Sequence, residues 1–237
     1  MAGESHPLVL FDVDGTLVRT VGSSRHSRAF RAAFERVFGG ECRFAAGMHG
    51  MTDLQIFMIL GQSAGAADGQ LREKAMRACR TMVEIYSVPA ETDGSYAALP
   101  GALTTLEELV RRQMLLGLVT GNDPEIARHK LASAGLFEYF PFGAYGTEAE
   151  DRSALPPLAI ARAELLTGHS IERSRVFVVG DTPRDVACAL DTGCRAVGVA
   201  TGNFSMEELR AAGAELVLPD LQEPEPLLCL LEKARGG

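Results

Sequence analysis

An apolar run that ends in two closely spaced aspartates constrains this chain more than any other feature. Residues 8–11 are Leu-Val-Leu-Phe, Asp12 follows directly, and Asp14 stands one residue later. A continuous apolar run with β-branched and aromatic residues is typical of a strand buried on both faces. A buried carboxylate is costly unless it is paired or binds a metal, and two such charges about 4 Å apart repel by roughly 4 kcal/mol at an effective dielectric of about 20. Two interpretations of this stretch are open. Either a divalent cation binds at the end of the strand, or the strand ends in a solvated acidic turn.

Composition limits the class of protein. The 237 residues are 46% hydrophobic and 23% charged, which is typical of a soluble globular chain of one or two domains. No apolar run is long enough for a transmembrane helix, and residues 1–7 lack a signal sequence, so we expect a cytoplasmic protein. The net charge of −8 argues against a general nucleic-acid surface. Five cysteines at scattered spacings predict reduced thiols and no zinc site.

The chain changes character twice. Residues 18–97 show helical periodicity and no strand pattern, which predicts an inserted all-helical segment. From residue 100 onward, helices alternate with short apolar strands, which predicts a parallel sheet with right-handed crossovers. The sequence therefore predicts a discontinuous core of residues 1–17 and 98–237 and a separate helical domain of residues 18–97.

Polar residues stand where three predicted strands end. These are Asp12, Thr120 and Asp181, and Asp185 lies about one helical turn beyond Asp181. In an open parallel sheet, ligands bind beyond the carboxyl ends of the strands, where helix N-termini also offer free amides to an anion. We therefore expect these side chains to share one crevice.

Three motifs in this order resemble those of the haloacid dehalogenase superfamily of phosphohydrolases. They are D-V-D-G-T-L at 12–17, T-G-N at 120–122 and V-V-G-D-T-P-R-D at 178–185, with a basic residue between the last two. The resemblance implies an α/β fold in which a Rossmann-like parallel-sheet core carries an inserted all-helical cap domain. Residues 50–56, G-M-T-D-L-Q-I, are similar to a cap signature of phosphoglycolate phosphatase-like members.

The resemblance also implies roles for individual residues. Asp12 would be the nucleophile that forms an aspartyl-phosphate, because it is ionised at neutral pH. Asp14 would protonate the leaving oxygen and then activate water. The implied phosphate-binding residues are Thr120, Gly121 and Asn122. A magnesium ion would be held by Asp12, the Asp14 carbonyl and Asp181, with Asp185 as a ligand or an outer partner, since Mg²⁺ prefers oxygen donors.

The basic catalytic residue is ambiguous, because the family usually has lysine where this chain has Arg152. Arg152 is the preferred candidate, for both catalysis and phosphate binding, and Lys130 is the competitor that we expect to be a solvated surface residue. The lone histidines His26 and His49 could reach a substrate, but we expect them to be surface or packing residues. The arginines at 25, 28 and 43 could bind a substrate carboxylate, but we expect them on a solvated helix face.

The predicted function is a Mg²⁺-dependent phosphatase that hydrolyses a small, phosphoglycolate-like phosphomonoester. Its predicted partner is a small phosphorylated metabolite, with no nucleic acid and no membrane, and the oligomeric state is open. Within the superfamily, a sugar-phosphate mutase and a 2-haloacid dehalogenase are the alternatives, although Asp14 speaks against the latter. Outside it, the alternatives are a phospho-acceptor signalling module and a non-catalytic binding module.

Overall fold

The computed structural model describes residues 7–44 and 47–235. Numbered in chain order, its strands are β1 (Leu8–Phe11), β2 (Val18–Val21), β3 (Ser95–Ala98), β4 (Leu115–Thr120), β5 (Gly143–Tyr145), β6 (Val176–Gly180), β7 (Arg195–Val199) and β8 (Leu216–Leu218). Its α-helices are α1 (Arg25–Phe38), α2 (Asp53–Ser63), α3 (Asp68–Ser87), α4 (Ala102–Arg111), α5 (Pro124–Ser133), α6 (Leu155–Thr167), α7 (Pro183–Asp191), α8 (Met206–Ala211) and α9 (Glu225–Arg235). No described helix is long and apolar enough to cross a membrane.

Six parallel strands form the main sheet, in the order β5-β4-β1-β6-β7-β8, which confirms the predicted α/β fold. The first strand, β1, lies at the centre between β4 and β6, and all four of its residues are buried. Val9 and Phe11 face a core shared with α4 and α9. Leu8 and Leu10 face the opposite core, shared with α6 and α7. Burial on both faces explains why β1 is apolar without alternation.

The three helices α1, α2 and α3 pack around a hydrophobic cluster of their own. Its centre includes Phe30 and Phe57, whose stacked rings lie 3.8 Å apart between centroids. Helix α1 begins at the N-cap Ser24, whose hydroxyl accepts a hydrogen bond from the amide of Ser27, and α2 begins at the N-cap Thr52 in the same way. The assignment of residues 18–97 to a separate domain stays a prediction.

The expectation that residues 18–97 contain no strand is wrong. Strands β2 and β3, at the two ends of this segment, pair with each other as a two-stranded antiparallel ribbon, with Val18 opposite Ala98 and Val21 opposite Ser95. Three of the four β2 residues are exposed, so the strand carries little apolar signal. Its partner lies far away along the chain, and pairing of this kind leaves no local pattern. Helix α9, near the C-terminal end, is likewise absent from the predicted elements.

Candidate active site

The carboxyl ends of β1, β4 and β6 meet at one cavity of about 430 Å³. Asp12, Thr120 and Asp181, the polar residues at these strand ends, all line it, together with Asp14. The sheet places them there because β4 and β6 flank β1 in a parallel register. The cavity therefore coincides with the crevice that the strand ends predict.

Three buried carboxylates lie side by side at the base of this cavity. One oxygen from each of Asp12, Asp181 and Asp185 lies within 4.8 Å of the others. Burial, opposed in part by Arg152, raises the pKa of Asp12 to about 7. Burial and the neighbouring Asp185 and Asp12 raise the pKa of Asp181 to about 8. Three carboxylates that offer only oxygen donors, two of them with raised pKa values, fit a hard divalent cation such as Mg²⁺.

Two glycines leave the space that Asp181 occupies. A Cβ at Gly202 would lie 1.7 Å from Asp181 Oδ2. A Cβ at Gly15, where φ is +81°, would lie 2.4 Å from the same oxygen. The other carboxylate oxygen accepts a hydrogen bond from the Thr16 hydroxyl at 3.2 Å. The loop after β1 and the segment after β7 are thus both shaped around this acid.

The carboxylate of Asp185 is already engaged at both oxygens. Its Oδ2 accepts hydrogen bonds from the backbone amide and the hydroxyl of Thr182, which form a capping box at the start of α7. Its Oδ1 accepts a hydrogen bond from Arg152. Of the two roles that the resemblance implies for Asp185, these contacts favour an outer partner over a direct metal ligand.

The guanidinium of Arg152 is buried beside Asp12. Its Nη2 donates to Asp12 Oδ1 at 2.8 Å and to the carbonyl of Val119 at 3.2 Å, and Nη1 donates to the carbonyl of Gly50 at 3.2 Å. The Nε atom is buried and has no hydrogen-bond partner in the described part of the chain. Arg152 therefore joins the first motif, β4 and the inserted segment at one point.

Lys130 is not a solvated surface residue, contrary to our expectation. Its side chain is 2% exposed, and Nζ donates to Asp14 Oδ2 at 2.6 Å and to Asn122 Oδ1 at 2.7 Å. Burial opposes ionisation of Asp14, but the Lys130 ammonium outweighs it, and the pKa of Asp14 is lowered. Lys130 stands four residues after the buried Ile126 on α5. That spacing places it on the buried face of the helix and could have identified it.

The side chain of Asn122 is fully engaged in positioning its neighbours. Its Nδ2 donates to Asp14 Oδ2 at 2.8 Å and to Thr120 Oγ1 at 2.7 Å. Among the described residues, the hydroxyl of Thr120 makes side-chain hydrogen bonds only as an acceptor. Its own proton is therefore available to a ligand oxygen in the cavity.

The inserted segment contacts the core beside the cavity through two hydrogen bonds to backbone carbonyls. The amide of Asp53 donates to the carbonyl of Gly121 at 2.9 Å, and the Thr52 hydroxyl donates to the carbonyl of Glu150 at 2.9 Å. The residue at 121 has to be small, because a Cβ there would lie 2.3 Å from the Met51 carbonyl oxygen. The similarity of residues 50–56 to a cap signature therefore falls on the segment that docks against the loop after β4.

The two histidines of the inserted segment both line the cavity. His26 lies between two charged groups, with Nδ1 3.1 Å from Lys130 Nζ and Nε2 3.2 Å from Asp53 Oδ2. His49 lies 3.2 Å from the side-chain nitrogen of Asn203. Their positions show that both histidines could contact a ligand, a role that we did not expect from lone residues.

Comparison with known proteins places the chain in a family. The family model described as haloacid dehalogenase-like hydrolase matches residues 9–199. The chain is 24% identical over 233 residues to phosphoglycolate phosphatase of Vibrio vulnificus, covering 94% of this chain and 96% of that protein. It is 28% identical over 221 residues to hexitol phosphatase A of Escherichia coli, covering 90% and 91%.

A solved structure, β-phosphoglucomutase of Clostridium difficile, has the same fold. It superposes with a TM-score of 0.67 at 18% identity, covering 97% of this chain and 98% of that one. The family match, the relatives and the fold all agree with the superfamily that the motifs indicated. The chain therefore belongs to the haloacid dehalogenase-like hydrolases.

Proposed function

We propose that this enzyme is a Mg²⁺-dependent phosphatase that hydrolyses a small phosphomonoester through an aspartyl-phosphate on Asp12. One observation carries the proposal: two carboxylates of the first motif, a hydroxyl with a free proton and Asp181 of the acidic cluster all line a single cavity. The predicted partner is accordingly a small phosphorylated metabolite. With a net charge of −8, the protein as a whole is a poor surface for nucleic acid or an anionic membrane.

In the first step, a carboxylate oxygen of Asp12 attacks phosphorus, and the bond from phosphorus to the ester oxygen breaks. Asp14 gives its proton to the leaving oxygen, so the alcohol departs neutral. The Thr120 hydroxyl donates to a phosphoryl oxygen. Arg152, already bonded to Asp12 at 2.8 Å, orients the nucleophile. Its planar guanidinium also supplies positive charge where a lysine would supply a point charge.

In the second step, water attacks phosphorus of the aspartyl-phosphate and releases inorganic phosphate and free Asp12. Asp14, now ionised, accepts the proton of the attacking water. Lys130 and Asn122 favour this ionised form, because both donate to Asp14 Oδ2. The same contacts hold the carboxylate in one place between the two steps.

The acidic cluster fits a magnesium site. Asp12, Asp181 and the backbone carbonyl of Asp14 would hold the ion, and Asp185 would act through Arg152 and Thr182. When bound, the ion neutralises the repulsion between the substrate phosphate and the carboxylates. The raised pKa values of Asp12 and Asp181 support this assignment, because ionising both requires a compensating positive charge.

Phosphoglycolate is the first ester to test, because residues 50–56 are similar to the phosphoglycolate phosphatase cap signature and the Vibrio vulnificus relative bears that name. A sugar-phosphate mutase would use the same core residues and is the main alternative. A 2-haloacid dehalogenase has less support, because Asp14 would have no acid–base role there. A signalling module would not need the cavity that the inserted segment helps to line beside Asp12. A non-catalytic binding module would not need all the acids of the motifs, which this chain retains.

The proposal is tested by measuring phosphate release from a panel of phosphomonoesters, with Mg²⁺ and with a chelator. We expect Mg²⁺-dependent release by the wild type and none by Asp12→Asn. An unfolded variant would give the same loss, so its melting temperature must be measured alongside. Absence of release from every ester by a folded wild type would overturn the phosphatase proposal. Transfer of phosphate within a sugar phosphate would indicate a mutase.

A further inference from the structure

The inserted segment gives the cavity an apolar wall. The inserted segment contributes five apolar side chains to its lining, namely Phe30, Phe44, Met48, Met51 and Ile56. The rings of Phe30 and Phe44 are 5.2 Å apart between centroids and tilted by 45°. Since the phosphate end lies at Asp12, this apolar wall faces the alcohol part of a bound ester. The cavity volume of about 430 Å³ also exceeds what a two-carbon alcohol requires.

The wall has no permanent cation that could hold a carboxylate. In the described lining, the one lysine or arginine is Arg152, and it lies at the phosphate end on Asp12. Three arginines of the inserted segment are engaged with acidic residues outside this lining. Arg28 forms two hydrogen bonds with Asp93, at 2.7 and 2.8 Å, Arg25 lies 3.7 Å from the same carboxylate, and Arg43 pairs with Glu41.

The hydrogen-bond network also engages both ring nitrogens of His26. Nδ1 lies 3.1 Å from Lys130 Nζ, and Nε2 lies 3.2 Å from Asp53 Oδ2. His26 therefore has no ring nitrogen free for an anionic ligand.

Besides His26, Ser27 and His49, the inserted segment brings one carboxylate to the described lining of the cavity, that of Asp53. Asp53 lines the cavity, and among the described residues its side chain has a single hydrogen-bond partner, His26. The free carboxylate oxygen can accept a hydrogen bond from a ligand hydroxyl. It would repel a ligand carboxylate at the same place.

We propose that the leaving alcohol of the physiological substrate is uncharged and hydroxylated, and that Asp53 selects it by accepting a hydrogen bond from one of its hydroxyls. The apolar wall would contact the carbon skeleton of the same alcohol. This inference rests on the proposed phosphatase function and narrows its substrate class. It ranks a polyol or sugar phosphate above an ester whose alcohol carries a carboxylate, such as phosphoglycolate.

Matched pairs of esters test the inference on the wild-type enzyme. 2-Hydroxyethyl phosphate and phosphoglycolate differ in a hydroxymethyl against a carboxylate, as do glycerol 3-phosphate and 3-phosphoglycerate. We expect kcat/KM to be at least about tenfold higher for the neutral member of each pair, because like charges repel at short range in a buried site. Equal or higher kcat/KM for the carboxylates would overturn the inference. A preference of about tenfold or more for phosphoethanolamine would also overturn it, in favour of a cationic alcohol.

The variant Asp53→Asn tests the residue itself, because it keeps an acceptor for His26 and removes the charge. We expect kcat/KM for phosphoglycolate to rise about tenfold, because the repulsion is removed. We expect kcat/KM for 2-hydroxyethyl phosphate to fall by about threefold or more, because the free acceptor oxygen is lost. The control is Asp68→Asn, an exposed aspartate at the start of α3. If Asp53→Asn lowers activity on both esters equally while remaining folded, the role of Asp53 in selection is wrong.

The failure of this inference and that of the proposed function are distinguishable. If no ester of the panel releases phosphate with the wild type, the proposed function fails. If phosphate is released but the carboxylate esters are preferred, the phosphatase proposal stands and the assignment of the alcohol fails.

Discussion

Lys130 Nζ lies 2.6 Å from Asp14 Oδ2, and the two side chains differ sharply in exposure, at 2% and 45%. The lysine approaches the carboxylate from the protein interior, so Asp14 stays open to the cavity on its other side. Lys130 has three hydrogen-bond donors, and the structure supplies three acceptors, on Asp14, Asn122 and His26. The buried ammonium is therefore fully satisfied, and it joins the proposed acid–base residue to the inserted segment.

Replacing Lys130 with methionine should lower kcat by about a hundredfold or more, with a smaller change in KM. The loss follows because Asp14 would keep only the Asn122 donor and no longer be held in position for proton transfer. The measurement is steady-state kinetics together with the melting temperature. Arg128→Met is the control, because Arg128 lies on the same helix and is exposed. Unchanged kcat in a folded Lys130→Met protein would contradict this role.

The acidic cluster should make the metal-free protein less stable as the pH rises. The pKa values of Asp12 and Asp181 are raised from 3.8 to about 7 and about 8. Between pH 3.8 and these raised values, the folded protein holds protons that the unfolded chain has released. Its free energy of unfolding therefore falls as the pH rises through this range. Chemical denaturation in chelator from pH 5 to pH 8 would measure this fall.

Mg²⁺ should reverse that loss at pH 8, because it binds the folded protein and compensates the ionised carboxylates. At a concentration about 100 times its Kd, the expected gain is about 2.7 kcal/mol. Asp181→Asn should show a weaker pH dependence in chelator and a smaller gain with Mg²⁺. An equal gain in the variant and the wild type would show that the ion binds elsewhere.

Asp93 should stabilise the protein at neutral pH and lose this effect in acid. The hydrogen bond from Arg28 is the main cause that lowers the pKa of Asp93 to about 2. Its contribution is therefore present above the ordinary pKa of 3.8 and is lost as the pH falls toward 2. We expect Asp93→Asn to melt below the wild type at pH 7, with the difference shrinking between pH 4 and pH 2. Glu91→Gln, an exposed change in the same loop, should melt like the wild type throughout.

Gly121→Ala should separate the inserted segment from the core. The added methyl group would lie 2.3 Å from the carbonyl oxygen of Met51, and the backbone there cannot move aside without breaking the Asp53–Gly121 hydrogen bond. We expect a destabilisation of about 1–3 kcal/mol and a fall in kcat/KM of at least tenfold. Gly69→Ala on α3 is the control, because its added methyl meets no atom within 4 Å. A fully active Gly121→Ala enzyme would show that this contact is dispensable.

The order of motifs is enough to predict the fold and the position of the crevice. A strand buried on both faces shows itself as a continuous apolar run, and the polar residue at its end marks the carboxyl edge of the sheet. The amino-acid sequence alone therefore predicts that Asp12, Thr120 and Asp181 lie together. These signals are local in the chain, and the parallel sheet converts them into one cavity.

Other features depend on residues far apart in the chain. The β2–β3 ribbon pairs residues 18–21 with residues 95–98, and neither strand has a strong apolar pattern. Lys130 belongs to a residue type that is usually exposed, and its packing beside Asp14 and Asn122 is what distinguishes it. Periodicity along the chain is thus sufficient for the sheet and the acids at its edge, and the motifs are sufficient for the resemblance to the family. The burial of Lys130, the contacts of His26 and the place of Asp53 on the cavity wall follow from packing in three dimensions, because a charge acquires its role from the groups around it.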